Sequence, residues 1–137
     1  MSKGIGAHAN KILEDATCVV YEYGGYNLND PAFRNEARIY DGEIIIQKDC
    51  FVEPEIHEKL KKTPSGKKKL VIKRIPVSVD YGQMLNSGRI QVTNCSNCWQ
   101  TSADHLKIDI MVCHLLFAIF RQYQEDGAIP ETISYNV

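Results

Sequence analysis

The chain has 137 residues, 44% of them hydrophobic and 24% charged, with 16 lysines and arginines against 17 aspartates and glutamates. That length fits a single domain, 1–137, with one core, and that balance excludes a disordered polar chain. The near-zero total hides a segregation: residues 14–58 hold eleven carboxylates against Arg34, Arg38 and Lys48, whereas residues 59–74 hold Lys59, Lys61, Lys62, Lys67, Lys68, Lys69, Lys73 and Arg74 with no acid, an asymmetry that points to partners.

Residues 1–10 lack an apolar stretch of the kind that marks a secretory signal. Ile5, Ala9, Ile12, Leu13 and Ala16 recur at three- and four-residue spacing, which predicts a short N-terminal helix ending near Asp15. Residues 18–23 read as a strand of β-branched and aromatic side chains, closed by a turn at Gly24 and Gly25. Asp41 and Gly42 between residues 35–40 and 43–48 form the two-residue signature of a β-hairpin, with Glu36, Arg38 and Glu43 on its outer side.

Pro54 in a first-turn position, acids at Glu53 and Glu55, lysines at Lys59, Lys61 and Lys62, and Ile56 with Leu60 on one face predict a second short helix. Thr63, Pro64, Ser65 and Gly66 end it in a turn, and residues 69–75 follow as a strand. Pro76 makes any continuation through Val77 and Val79 an edge or bulged strand. Residues 89–93 supply one more strand. A long helix then starts at a Thr101 or Ser102 cap and runs to about Gln124, with apolar residues nearly all round it and a polar stripe of Lys107, His114 and Arg121. Its apolar run, 108–120, is short of the ~20 residues that cross a bilayer, so no membrane partner is expected. The fold class expected is α+β: a mainly antiparallel sheet of about five strands against a long, largely buried C-terminal helix and two shorter helices. Burial on so many sides also leaves room for a homo-oligomer.

Chemistry is harder to find. Cys95 and Cys98, two residues apart, have the spacing of half a zinc site, yet His105 and Cys113 cannot both complete it, because eight helical residues separate them by ~12 Å. The pair precedes the predicted helix instead of opening it, which disfavours a redox role. The His-x-Glu of zinc deaminases and the Gly-x-Ser-x-Gly of hydrolases are absent, and His114 beside Cys113 points ~100° away from it. Five cysteines, an odd number without an export signal, fit reduced thiols in the cytoplasm. No catalytic residue, no metal and no cofactor are expected; Cys95 and Cys98 remain the alternative metal pair.

Charge therefore carries the functional expectation. The acidic half, with Glu22, Tyr23, Glu36, Tyr40, Asp41 and Glu43 as candidate contacts, Asp49 nearby and Tyr21 and Tyr26 taken as further exposed anchors, suits one cognate protein, in the manner of a bacterial immunity protein or antitoxin covering a toxin. The alternative is a nucleic acid held by residues 59–74, chiefly Lys67, Lys68, Lys69, Lys73 and Arg74, although that stretch lacks aromatics for base stacking.

Overall fold

A computed structural model describes residues 3–137. Five antiparallel strands lie in the order β6-β3-β2-β1-β7: β1 (Ile5–Glu14), β2 (Cys18–Asn27), β3 (Gly42–Gln47), β6 (Ile90–Thr93) and β7 (Thr132–Asn136). Strands β4 (Glu55–Lys62) and β5 (Lys68–Ile75) pair only with each other, α1 (Tyr81–Asn86) is one short helix, and α2 (Ile110–Asp126) is the long one. Because β6 and β7 occupy opposite edges, the connection between them carries α2 across one face of the sheet. The fold is α+β as expected, with the long buried helix on an antiparallel sheet of five strands. Among the described residues no helix is long and apolar enough to cross a membrane.

Alternation decides which face α2 covers. Ala7, Ala9, Val19, Tyr21, Tyr23, Ile44, Ile46 and Ile90 share one side of the sheet and join Met111, Val112, Leu115, Leu116, Ile119 and Phe120 of α2 in a single buried cluster. Removing such side chains from water is the main favourable term, ~1.5–3 kcal/mol for each large aliphatic. Phe120 is flanked by the rings of Phe51, at 5.0 Å, and Tyr81, at 5.5 Å. These rings pack against α2, while Phe117 on its outer edge stays 53% exposed.

Several elements differ from expectation. The N-terminal segment is a strand: Ala7 and Ala9 are buried at alternate positions, while Ile12 and Leu13 of the supposed helical face are exposed. Pairing with β2 outweighs a weak helical periodicity that Gly4 and Gly6 already disfavour. Gly24 and Gly25 do not turn; they pair with His8 and Ala7 inside β2. Gly24 is required there because a Cβ would press on the Ile39 carbonyl and lie 2.5 Å from Cδ1 of Tyr40. Gly42 opens β3 instead of closing a hairpin, and a Cβ there would overlap the Tyr23 ring. Residues 35–40 form no strand; Asn35 and Arg38 adopt positive φ, 55° and 53°.

Residues 55–62 are a strand, not a helix, because the four-residue step from Ile56 to Leu60 is also even and puts both on one strand face. The strand at 68–75 and the turn before it lie where the sequence places them. Beyond Pro76 the chain leaves the sheet, and the buried Gln124 amide holds it: Val77 N–H donates to Oε1 at 2.8 Å and Nε2 donates to the Val77 carbonyl at 3.1 Å. Strand β7 pairs with β1 and completes the sheet edge.

The start of α2 moves most. Its cap is Asp109, not Thr101 or Ser102; residues 101–109 fold into a turn closed by a bridge between Thr101 and Asp109. Lys107 therefore lies outside the helix, His114 stacks on Tyr135 at 4.2 Å, and the exposed edge is Cys113, Phe117 and Arg121. Asp109 is 1% exposed, and its carboxylate accepts from Met111 N–H (2.9 Å), the Tyr23 hydroxyl (3.1 Å) and the Cys95 thiol (3.6 Å). Loss of an N-cap costs ~1 kcal/mol, and each buried donor left unpaired adds ~1–3 kcal/mol. Asp109→Ala should therefore lower the unfolding free energy by about 3 kcal/mol or more, and Tyr23→Phe by about 1 kcal/mol, in urea titrations. Equal stability of Asp109→Ala and wild type would show that this carboxylate does not hold the helix to the sheet.

Candidate interaction surface

The expected acidic site divides into buried, engaged and free groups. Tyr23 and Tyr21 are fully buried, so neither is the exposed anchor the sequence suggested. Alternation places both on the helix side, where Tyr21 donates to the Pro130 carbonyl at 2.6 Å. Asp41 is committed to the fold: Ser96 N–H donates to it at 2.9 Å and holds its carboxyl below the usual range. Asp49 pairs with Arg89 at 3.3 Å. Glu22 and Glu43 stand directly opposite each other on the uncovered sheet face, a like-charge pair of slightly unfavourable energy. Glu22 accepts from Asn10 at 3.3 Å, while Glu43 and Glu36 are exposed and enter no ion pair among the described residues. Tyr40 is half-buried and packs at 5.5 Å from the His8 ring.

The basic stretch forms an arm. β4 and β5 pair along their whole length, from Glu55 with Ile75 to Lys62 with Lys68, and a turn at Gly66 (φ 84°) joins them. Register sorts the side chains by face. One face carries Ile56, Glu58, Leu60 and Lys62 beside Arg74, Ile72, Leu70 and Lys68; the other carries Glu55, His57, Lys59 and Lys61 beside Ile75, Lys73, Val71 and Lys69. On the first, Ile56 is 53%, Leu60 63%, Leu70 50% and Ile72 58% exposed. Two strands alone are marginal in water, and an aliphatic stripe with nothing over it is uncommon on a protein surface. Lys67, Lys68 and Lys69 cluster at the tip and Lys73 lies on the lysine face, but Arg74 belongs to the base of the arm. Its guanidinium donates to the Gln124 carbonyl at 3.3 Å and packs against Gly127 at the end of α2, where the helix dipole favours a cation.

Cys95 and Cys98 share a turn, with Cys98 N–H donating to the Cys95 carbonyl at 3.2 Å. The Cys95 thiol faces Asp109, and the Cys98 thiol donates to the Gln100 carbonyl at 3.6 Å. No group of three or more His, Cys, Asp or Glu side chains arranged to hold a metal occurs among the described residues. Burial, reinforced by the charge of Asp109, pushes the Cys98 thiol up to about 11, and burial also raises Cys95. All five cysteines are free.

One arrangement has no counterpart in the sequence reading. A cavity of about 530 Å³ on the uncovered sheet face is lined by His8, Tyr26, Arg34, Arg38 and Tyr40, among others. Residues remote in sequence meet there, and neither His8 nor the two arginines sits in a recognisable spacing. No protein-family model, curated protein or solved structure matches the chain.

Groups that are harder to deprotonate in the folded state make stability fall with rising pH. Below pH 9 a free thiol and the buried thiols are alike protonated, so these groups leave stability unchanged. From about 9, the ordinary thiol value, towards 11, unfolded Cys98 ionises while folded Cys98 does not, and stability is lost. The buried phenols of Tyr21 and Tyr23, also pushed upward by burial, act in the same direction above pH 10. Melting temperature should hold from pH 7 to 9 and decline between pH 9 and 11, with a shallower decline in Cys98→Ser; an unchanged melting temperature at pH 11 would contradict this account of the turn.

Proposed function

We propose that this chain is a non-catalytic protein-binding module that grips one cognate protein with the β4–β5 arm, in the relation of an immunity protein or antitoxin to its target. The observation that carries the reading is the exposed aliphatic stripe of Ile56, Leu60, Leu70 and Ile72 on a hairpin held to the body at its base. A stripe of this kind is covered economically by an apolar groove in a partner. The surrounding lysines favour a groove with acidic banks, steering association and fixing orientation. Against this, the acidic face offers mainly Glu36 and Glu43 as free carboxylates, a smaller and more polar contact than the arm.

A second reading rests on the opposite face of the same arm. Lys59, Lys61, Lys69 and Lys73 form a basic ribbon there, and a two-stranded ribbon matches the width of the major groove of B-form DNA. That reading predicts a steep loss of affinity with salt.

The two faces can be tested separately. In native mass spectrometry of the protein purified from its host, a stoichiometric polypeptide partner is expected. Replacing Leu60 and Leu70 by serine should weaken that complex by about 2–4 kcal/mol, as loss of two aliphatic anchors implies. The same change should leave the unfolding of the body almost unaffected, since the arm stands apart from the core. Lys67→Ala with Lys68→Ala should alter mainly the association rate and its salt dependence. A complex that survives L60S/L70S and fails on charge reversal at Glu36 and Glu43 would move the contact to the acidic face. Oligonucleotide retention abolished by alanine at Lys59, Lys61, Lys69 and Lys73 would establish the second reading.

A further inference from the structure

The cavity on the uncovered face of the sheet is independent of the arm. Its floor is β1, β2 and β7, contributing His8, Gly24, Tyr26, Ser134 and Asn136, and its wall is the 28–40 segment, contributing Leu28, Arg34, Asn35, Arg38 and Tyr40. Of the ten lining residues none is acidic, although residues 14–58 hold eleven carboxylates. The only two arginines of that acidic stretch both line it. Neither guanidinium enters an ion pair or a side-chain hydrogen bond among the described residues, so their forked donors are available to a ligand.

The wall is built to stay in place. Asn35, in a left-handed conformation that asparagine tolerates, donates to the carbonyls of Gly25 (3.1 Å) and Ile39 (3.0 Å) and accepts from Ile39 N–H (2.9 Å). Asn97 adds a second tether, donating to the Gly25 and Phe33 carbonyls at 2.7 and 2.9 Å. Gly24 lets the backbone of Ile39 and Tyr40 lie directly on the strand. Arg38 keeps a positive φ of 53°, which arginine rarely adopts, and among the described residues its side chain makes no hydrogen bond or ion pair to offset it. The floor is fixed as well: Tyr26 donates to Asn136 at 2.6 Å, and His8 bridges Ser134 (2.6 Å) and Asn10 (2.8 Å). Because Asn10 donates its amide to Glu22, its oxygen accepts from Nε2–H of His8, leaving Nδ1 to Ser134.

We propose that this cavity binds a small organic phosphate with a planar body. Two unpaired guanidiniums match the several acceptor oxygens of a phosphate monoester. The rings of Tyr26 and Tyr40 offer flat apolar surface to the rest of the ligand. A volume of about 530 Å³ exceeds the needs of inorganic phosphate and suits a molecule the size of a nucleoside monophosphate.

Isothermal titration of the full chain with AMP, phenyl phosphate, adenosine and inorganic phosphate tests this. One or both of the planar phosphates should bind with heat, more tightly than adenosine or inorganic phosphate. Arg34→Gln and Arg38→Gln should each lower that affinity about tenfold, the scale of a lost charged hydrogen bond. Melting temperatures of the variants should stay at the wild-type value, since both side chains are exposed and unpaired. Alanine at Lys67, Lys68 and Lys69 should leave binding intact, whereas a loss in that variant would transfer the phosphate to the arm and overturn the assignment. Absence of binding by both planar phosphates at millimolar concentration, or full affinity in R34Q/R38Q, would likewise overturn it.

Discussion

The buried Asp109 carboxylate is the joint on which this fold depends. It caps α2, where a negative charge is favoured by the helix dipole, and it receives the hydroxyl of Tyr23 from the central strand and the thiol of Cys95 from the turn after β6. One side chain thereby sets where the helix begins, how it meets the sheet and how the 94–109 connection is folded. A carboxylate at this depth is tolerable because three donors converge on it; with fewer, its desolvation would work against folding. Of the two thiols nearby, Cys95 donates to this carboxylate and Cys98 to the Gln100 carbonyl. Burial holds both thiols toward their neutral form.

Charge segregation along the chain becomes segregation in space. Most acids are distributed over the body, on the uncovered sheet face and in the loops around it, whereas the eight basic residues of 59–74 ride on the arm, whose reverse side is aliphatic and whose acids are Glu55 and Glu58. Were these lysines on the body, local ion pairs would absorb them; on an arm tied down only at its base by Arg74 and Gln124, most are left for a partner. Of the body's four arginines, Arg89 and Arg121 pair with Asp49 and Glu125, while Arg34 and Arg38 line the cavity that the 28–40 segment builds on the open face of the sheet. Arm and cavity thus draw on different charges and need not act together.

Legibility followed how local each cause was. The strand at 68–75, the turn before it and the C-terminal end of α2, at Asp126 close to the expected Gln124, are marked by neighbouring residues and lie where the pattern puts them. Errors cluster where two periods fit the same residues. Ile56 and Leu60, four apart, suit a helix and a strand equally, and their charged flanks happened to match a helix dipole. Ile5, Ala9, Ile12 and Leu13 suited a helix, but Ala7 and Ala9 fit beneath α2, a requirement set by a helix a hundred residues away. The glycine pair at 24–25 and Gly42 looked like turns because glycine also marks turns; here it admits a neighbouring backbone or ring.

What the sequence alone determined is the class of object: a folded α+β chain with a long helix wrapped in apolar residues, divided charge and no assembled catalytic motif. Composition and short-range periodicity are sufficient for that, because burial and hydrogen bonding act on every residue in the same way. Only the tertiary structure decided which tyrosines are core, that the lysines ride on an arm with an aliphatic face, and that Arg34, Arg38 and His8 meet at one cavity. Those facts depend on strand register and on the path of the 28–40 segment, both fixed by contacts between residues far apart in the chain, which no local pattern records.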